Sequence, residues 1–484
     1  MLPYNTLIGL NKDLPTPVYQ QIANRIIQLI RDGIIKPGTF IPSSRVMAYM
    51  LSVHRKTVIA AYEDLASQDW IETIPRKGIL VSKNLPDLKP RSFKAVSGVA
   101  VFSVKPPFSY QKIKLPLVPV IKKKGYRFVI NDGFPDPRIA PIDTLFRQYR
   151  YFFQRPSSDG AIMHGDAAGS MNLRMAISRF ISDTRGMNTE AGNLLLTRGA
   201  QMAIFIAARM VLKPGARVIV GEPSYSMAND IFEQFGAKLI KVPVDNEGIN
   251  VEEIERLCKK KKPDMLYIIP HHHHPTTVTL SAGRRMKLLS LIREYKLPVI
   301  EDDYDYDFHY ARSPILPLAS ADHSGYVIYI GSITKCFASS IRMGYLVSSV
   351  DFVNQAAQLR EMIDIRGDVL LEESLAILFN NGDMQKHLKK SVKIYQQRRD
   401  LFCDLLQKEF EGKLSFTKPS GGMSVWVEFG KKYNLKEISQ KAGIQGLYMP
   451  DGSSYNTCNA LRMGFASLNE KEMQGVIGIL KKLL

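Results

Sequence analysis

Residues 327–342 read VIYIGSITKCFASSIR: a short apolar strand that runs straight into a hydroxyl-rich turn holding one lysine, Lys335, and ending on Arg342. A lysine amine placed this way can form an imine with an aldehyde, and the neighbouring hydroxyls of Ser332 and Thr334 suit a phosphate. Arg342, seven residues past the lysine, adds a planar, two-pronged phosphate partner. Just upstream, PVIEDDY (298–304) is a second strand with an acidic end. A carboxylate such as Asp302 beneath a pyridine-type ring nitrogen keeps that nitrogen protonated and makes the ring an electron sink.

Outward from this pair the pattern is α/β. Apolar runs at Arg217–Val220, Lys238–Val242, Met265–Ile269, Pro298–Ile300 and Val327–Ile330 alternate with helical stretches such as Gln201–Leu212 and Ala282–Tyr295. That alternation predicts a largely parallel sheet whose functional residues collect at the carboxyl ends of its strands. Thr197-Arg198-Gly199-Ala200-Gln201 opens a helix, so its backbone N–H groups form an anion site. Tyr225 offers a ring to stack on a heterocycle, and Arg462 is placed to grip a carboxylate. Four consecutive histidines, His271–His274, do not predict a metal centre, because neighbouring side chains point in different directions.

The first 82 residues carry a different pattern. Val18, Ile22, Ile26, Leu29 and Ile30 make one apolar helical face, which Gly33 stops. Pro42-Ser43-Ser44 opens a second helix on a serine cap, with Val46, Met47 and Met50 as its apolar residues. A third helix, His54 to about Ser67, is expected to bury Val58, Ala61, Tyr62 and Leu65. Its first turn exposes His54, Arg55, Lys56 and Thr57, as a helix reading base edges and phosphates requires. Two strands, Trp70–Ile74 and Gly78–Val81, flank the basic tip Pro75-Arg76-Lys77. The net charge of +19 and a pI near 9.5 favour a polyanionic partner.

Between the two lies a basic, proline-containing linker, expected over 83–125; from Leu88 to Arg127 there are ten Lys or Arg and no Asp or Glu. This reads as a semi-stiff spacer, with a second phosphate-contacting segment as the alternative. At 484 residues the chain is too long for one core. Its four cysteines show no C-x-x-C spacing, so a reducing cytoplasm is expected. The N-terminus lacks the layout of a signal peptide, and no apolar run reaches membrane-spanning length.

Residues 17–81 closely resemble the GntR-type winged helix: the P-x-Y-x-Q-I opening, the G-x-x-x-P-G turn, the P-S-x-R motif and the T-V-x-x-A-Y-x-x-L third helix stand in order. One departure is Gln68-Asp69, where a glycine is usual. The resemblance implies DNA contacts from Arg45, from Arg55, Lys56 and Thr57, and from Lys77 and Gly78 in the wing. Residues 126–484 resemble the class I aminotransferases, which have the pyridoxal-phosphate (PLP) fold type I. The combination resembles the MocR family of bacterial regulators. The expected fold is therefore a small α+β winged helix-turn-helix (1–82), the linker, and an α/β PLP-dependent transferase domain (126–484).

The resemblance implies a role for each matching residue. Lys335 would hold PLP as an imine, Asp302 would pair with the pyridine nitrogen, and Tyr304 with the phenolic oxygen. Tyr225 would stack on the ring, and His272 matches a histidine usual near the cofactor. Ala200, Gln201, Ser332, Thr334 and Arg342 would hold the phosphate, and Arg462 the effector's α-carboxylate. A head-to-tail homodimer on a repeated or palindromic DNA operator is implied as well. Departures are His164 for a tyrosine, Thr277 for a glycine, Ser339-Ser340 for Pro-Gly, and Cys336 beside the lysine. They predict at most weak or half-reaction transamination. The expected function is a cytoplasmic, PLP-dependent DNA-binding transcriptional regulator that senses an amino acid, an amine or PLP; the alternative is a working aminotransferase with an attached DNA-binding head.

Overall fold

The computed structural model describes residues 2–11, 14, 16–75, 77–83, 85, 105–106, 108–110, 113, 125–154, 165–310, 315–455 and 459–484. Most of the expected linker, the wing residue Arg76, His164 and Cys458 lie outside the described residues. The chain divides into two units, Met1–Ile113 and Lys114–Leu484.

In the first unit, helices Val18–Arg31, Ser44–Leu51 and Arg55–Ser67 pack through Ile22, Ile26, Leu29, Met47, Val58, Ala61 and Leu65. The Ser43 hydroxyl accepts from the Val46 amide and caps the second helix. The His54 ring does the same for the third by accepting from the Lys56 amide. Val46, expected on the apolar face, is exposed, whereas Met47 and Ala48 are buried. The wing has three strands rather than two: β1 (Phe40–Ile41), β2 (Ile71–Ile74) and β3 (Gly78–Val81), in the order β1-β3-β2. The two residues of β1 are too few for an alternation to register in sequence; they pair Phe40 with Leu80 and Ile41 with Ile79. A short helix, Tyr4–Leu7, also unforeseen, buries Tyr4 and is followed by buried Ile8.

The second unit is built on an eight-stranded sheet. Its strands are β5 (Leu194–Thr197), β6 (Arg217–Glu222), β7 (Lys238–Asp245), β8 (Gly248–Ile249), β9 (Met265–Ile268), β10 (Val299–Asp303), β11 (Val327–Ser332) and β12 (Gly344–Val347), ordered β5-β12-β11-β10-β9-β6-β7-β8. β7, β6, β9, β10 and β11 run parallel, and β12 returns antiparallel between β11 and β5. Helices cover both faces, so the central strands read as unbroken apolar runs rather than alternating ones. Within β6, Val218 and Val220 pack with the helix Ala200–Val211, while Ile219 packs with the opposite helix, Ala282–Tyr295.

A smaller antiparallel sheet holds β13 (Leu414–Phe416), β14 (Ser424–Phe429) and β16 (Ala460–Gly464), ordered β13-β14-β16. It packs with the long helix Asp383–Phe410 and the last helix, Glu470–Leu483, around Phe402, Leu406, Val427, Val476 and Leu480. β4 (Phe128–Val129) pairs in parallel with β15 (Leu447–Tyr448) and so delivers Asn131–Phe134 to the mouth of the main sheet. No helix among the described residues is long and apolar enough to cross a membrane.

Candidate functional site

The carboxyl ends of β5, β6, β9, β10 and β11 open on a cavity of about 340 Å3. Nine of the residues singled out in the sequence line it: Ala200, Gln201, Tyr225, Asp302, Tyr304, Ser332, Thr334, Lys335 and Arg342. They are brought in by four separate strand ends, which is how a parallel sheet concentrates distant residues.

Lys335 leaves the end of β11 and donates its ammonium to the Gly133 carbonyl at 2.8 Å, with the Phe134 ring centroid 4.6 Å away. Burial lowers its pKa to about 8, aided by the charges of Arg462 and Arg342 and opposed by Asp132. Asp302, at the end of β10, is 2% exposed. Its Oδ2 accepts from the Tyr267 hydroxyl at 2.7 Å, while Oδ1 has no hydrogen-bond partner. Burial pushes the Asp302 carboxyl up to about 7, against the Tyr267 hydrogen bond. On the other face of β10, Glu301 accepts from the Leu318 and Ala319 amides, and burial takes it to about 8. Asp303 sits between His271 and the Tyr329 hydroxyl.

The opposite wall is the start of the helix Ala200–Val211. Gly199, at φ +83°, precedes it, and a Cβ there would stand 2.6 Å from Arg342 Nη2. A Cβ on Gly344 would lie 2.6 Å from the Gly199 carbonyl carbon. Two glycines thus let the helix N-terminus and Arg342 close on one spot. Tyr225 donates to Gln201 Oε1 at 3.1 Å. Thr334 reaches the cavity wall, but its hydroxyl both donates to the Met343 carbonyl and accepts from the Met343 amide.

Two residues expected in the site, His272 at the cofactor and Arg462 at the effector's carboxylate, are not on the cavity wall. His272 is fully buried, with Nδ1 2.9 Å from Asp305 Oδ1 and Nε2 3.3 Å from His309 Nδ1. Its ring is turned toward Gly421, where a Cβ would collide with it. Only its carbonyl serves the site, by accepting from the Tyr304 hydroxyl at 2.9 Å. Arg462, on β16, is buried behind the wall: Nη2 donates to Tyr304 Oη, Nη1 to the Pro275 carbonyl, and Nε lies 3.3 Å from Asp132 Oδ1.

Sequence reasoning missed Asp132, Phe134, Met227, His274 and Tyr448, which line the same cavity. His274 Nε2 is 2.8 Å from Asp132 Oδ2, and its ring meets Tyr225 edge-on at 4.9 Å. Burial would raise Asp132, but the His274 hydrogen bond and the Arg462 charge bring it to about 2. No local signal in the His-block separates the fourth histidine, which lines the cavity, from the second, which does not. The four rings have four different partners: Asp303, Asp305, Thr276 and Asp132. Thr277 takes the left-handed backbone (φ +62°) that glycine adopts freely.

In the first unit, Arg45, His54, Arg55, Lys56, Lys77 and Gly78 are all exposed, and Thr57 is half-buried. Arg55 Nε donates to Ser44 Oγ at 3.4 Å, which ties the start of the third helix to that of the second.

Two known families match the chain: "Bacterial regulatory proteins, gntR family" over residues 18–81, and "Aminotransferase class I and II" over residues 158–480. The chain is a MocR-type member of the aminotransferase class I and II family. Among its relatives, the HTH-type transcriptional regulator YdfD of Bacillus subtilis is 26% identical, over 95% of this chain and 94% of its own. The "Probable rhizopine catabolism regulatory protein MocR" of Rhizobium meliloti is 24% identical, over 91% of this chain and 87% of its own. A kynurenine aminotransferase from Pyrococcus horikoshii has a similar structure, with TM-score 0.68 and 26% identity over 74% of this chain and 90% of that one. The MocR-type architecture accounts for both the GntR head and the fold type I domain seen in the sequence.

Proposed function

We propose that this protein is a PLP-dependent, DNA-binding transcriptional regulator that senses an amino acid, an amine or PLP itself in the cavity at Lys335. The observation that carries this reading is the pairing, in one cavity, of a buried lysine amine of lowered pKa with a buried carboxylate oxygen that has no partner, on a chain that carries a GntR head. PLP fits these residues. The orphaned Asp302 Oδ1 is an acceptor awaiting a ring N–H, and the glycine-lined cradle at Gly199 leaves room against Arg342. Ala200 and Gln201 at the helix N-terminus, with Ser332 and Arg342, would hold the phosphate, and Tyr225 would cover the ring. When bound, PLP supplies an aldehyde carbon to which a primary amine can condense with loss of water, and a ring that withdraws electrons.

The chain's own groups set the conditions. A pKa near 8 leaves part of the Lys335 population uncharged and nucleophilic near neutral pH. The Tyr267 hydroxyl fixes one oxygen of Asp302 so that the other stays directed at the cavity. Phe134 and Tyr448 give the mouth an aromatic lining. Effector binding changes DNA affinity only through differential affinity for two arrangements of the protein, here a homodimer presenting two heads to an operator.

The first test is the visible absorbance of the purified protein with PLP, beside Lys335→Ala. A lysine-dependent band, and operator affinity that changes when a band-shifting amine is added, are the expected results. Lack of a band in the intact protein would remove PLP sensing. The second reading, a working aminotransferase, draws on the same low pKa of Lys335. Keto-acid turnover at ordinary enzyme rates, about 1–1000 per second, would favour it.

A further inference from the structure

We propose that Asp132 sets the effector class of this site, selecting a diamine (a primary amine with a second protonated amine on a short apolar chain) over an α-amino acid. The inference rests on the sensing function proposed above and narrows it.

An arginine can hold a ligand's carboxylate only with free, accessible N–H groups. Arg462 is poorly provided with them: each of its three nitrogens faces an internal acceptor, and the residue is 2% exposed. The cavity surface at this end is instead the Asp132 side chain, 41% exposed. Asp132 is anchored on both oxygens, Oδ1 by Arg462 Nε at 3.3 Å and Oδ2 by His274 Nε2 at 2.8 Å. It lies one residue from the Gly133 carbonyl that holds the Lys335 ammonium.

His274 does not offset this acidity. Burial lowers its pKa, so the ring is neutral at pH 7. Donation from Nε2 to an ionised carboxylate then leaves Nδ1 as an acceptor, and that atom is buried without a partner. Asp132 and His274 are thus both acceptors, and Phe134, Met227, Tyr448 and Pro450 supply apolar wall around them. An arriving carboxylate would meet like charge and would have to displace Asp132 from a buried arginine. An ammonium meets a preformed carboxylate with no pair to break. One amine of a diamine is then free for condensation and the other pairs with Asp132, the apolar chain lying on Phe134 and Met227.

The test uses the full-length protein with PLP, freed of excess cofactor, and three probes of similar size: 1,4-diaminobutane, butylamine and L-2-aminobutyrate. Two readouts are followed, the visible band and the thermal shift, the latter also without PLP. In the intact protein the diamine is expected to act at concentrations at least about tenfold below either other probe, the usual effect of a charge-assisted hydrogen bond. In Asp132→Asn the diamine should fall to the level of butylamine, while L-2-aminobutyrate improves. Equal or better response to L-2-aminobutyrate in the intact protein would overturn the proposal, as would an unchanged ranking in Asp132→Asn. Absence of the PLP band would count against the cofactor reading alone, since the thermal-shift ranking without PLP still decides the role of Asp132.

Discussion

Replacing Asp302 by Asn should stabilise the cofactor-free protein above neutral pH and lose that advantage in mild acid, while abolishing tight PLP binding. In the free protein the Asp302 carboxyl rises from 3.8 to about 7, chiefly through burial. The sign follows from linkage: between these two values the folded state binds the proton and the unfolded state does not, so stability falls as pH rises from about 4 to about 7. At roughly 1.4 kcal/mol per pH unit, the ionised group costs the fold about 4 kcal/mol at pH 8. Asparagine removes that cost and can keep the Tyr267 hydrogen bond, but leaves a buried N–H without a partner, at about 1–3 kcal/mol. The net is a gain of about 1–3 kcal/mol at pH 8 that shrinks by about 2.5 kcal/mol at pH 5, where the raised pKa costs the parent only about 1.5 kcal/mol. Scanning calorimetry of PLP-stripped protein at the two pH values reads this as a Tm difference for the large domain that favours the variant at pH 8 and is lost or reversed at pH 5. The reasoning is refuted if the variant melts lower than the parent by the same margin at both.

Capture of PLP by the stripped protein should accelerate with pH and level off near pH 8, because the folded pKa of Lys335 is lowered to about 8; stopped-flow absorbance would show continued acceleration toward pH 10 if it were an ordinary lysine. Gly199→Ala forces a left-handed alanine against Arg342 and should cost about 1–2 kcal/mol of stability; equilibrium dialysis should show PLP affinity falling with it. Lys77→Ala should weaken binding to all DNA sequences alike and reduce the slope of log affinity against log salt by about one, measured by fluorescence anisotropy.

Much of this was legible in the chain because its signals are local. Apolar runs fix β6, β9, β10 and β11, and the helix at Ala282–Tyr295 has the bounds expected of it, starting behind a Ser281 cap. Lys335, Asp302, Tyr304 and Tyr225 could be found because each sits at or just past the end of a strand. What escaped the sequence depends on long-range approach. Asp132 becomes part of the site only because β4 pairs with β15, more than three hundred residues away. His272 and His274 are chemically identical and two residues apart, and only the backbone path decides which one reaches the cavity. The fate of Arg462 depends on Asp132, so neither residue could be interpreted alone.

β10 carries Glu301, Asp302 and Asp303 in succession, all buried. Strand alternation sends the middle one to the cavity and its neighbours to the other face. The strand therefore works as a reading frame. A single-residue insertion or deletion ahead of it would turn Glu301 and Asp303 inward, strip Leu318 and Ala319 of their acceptor, and aim Asp302 at the wrong layer. Descendants of this chain can vary the loops around that strand, but the phase of its three carboxyls is inherited whole or lost.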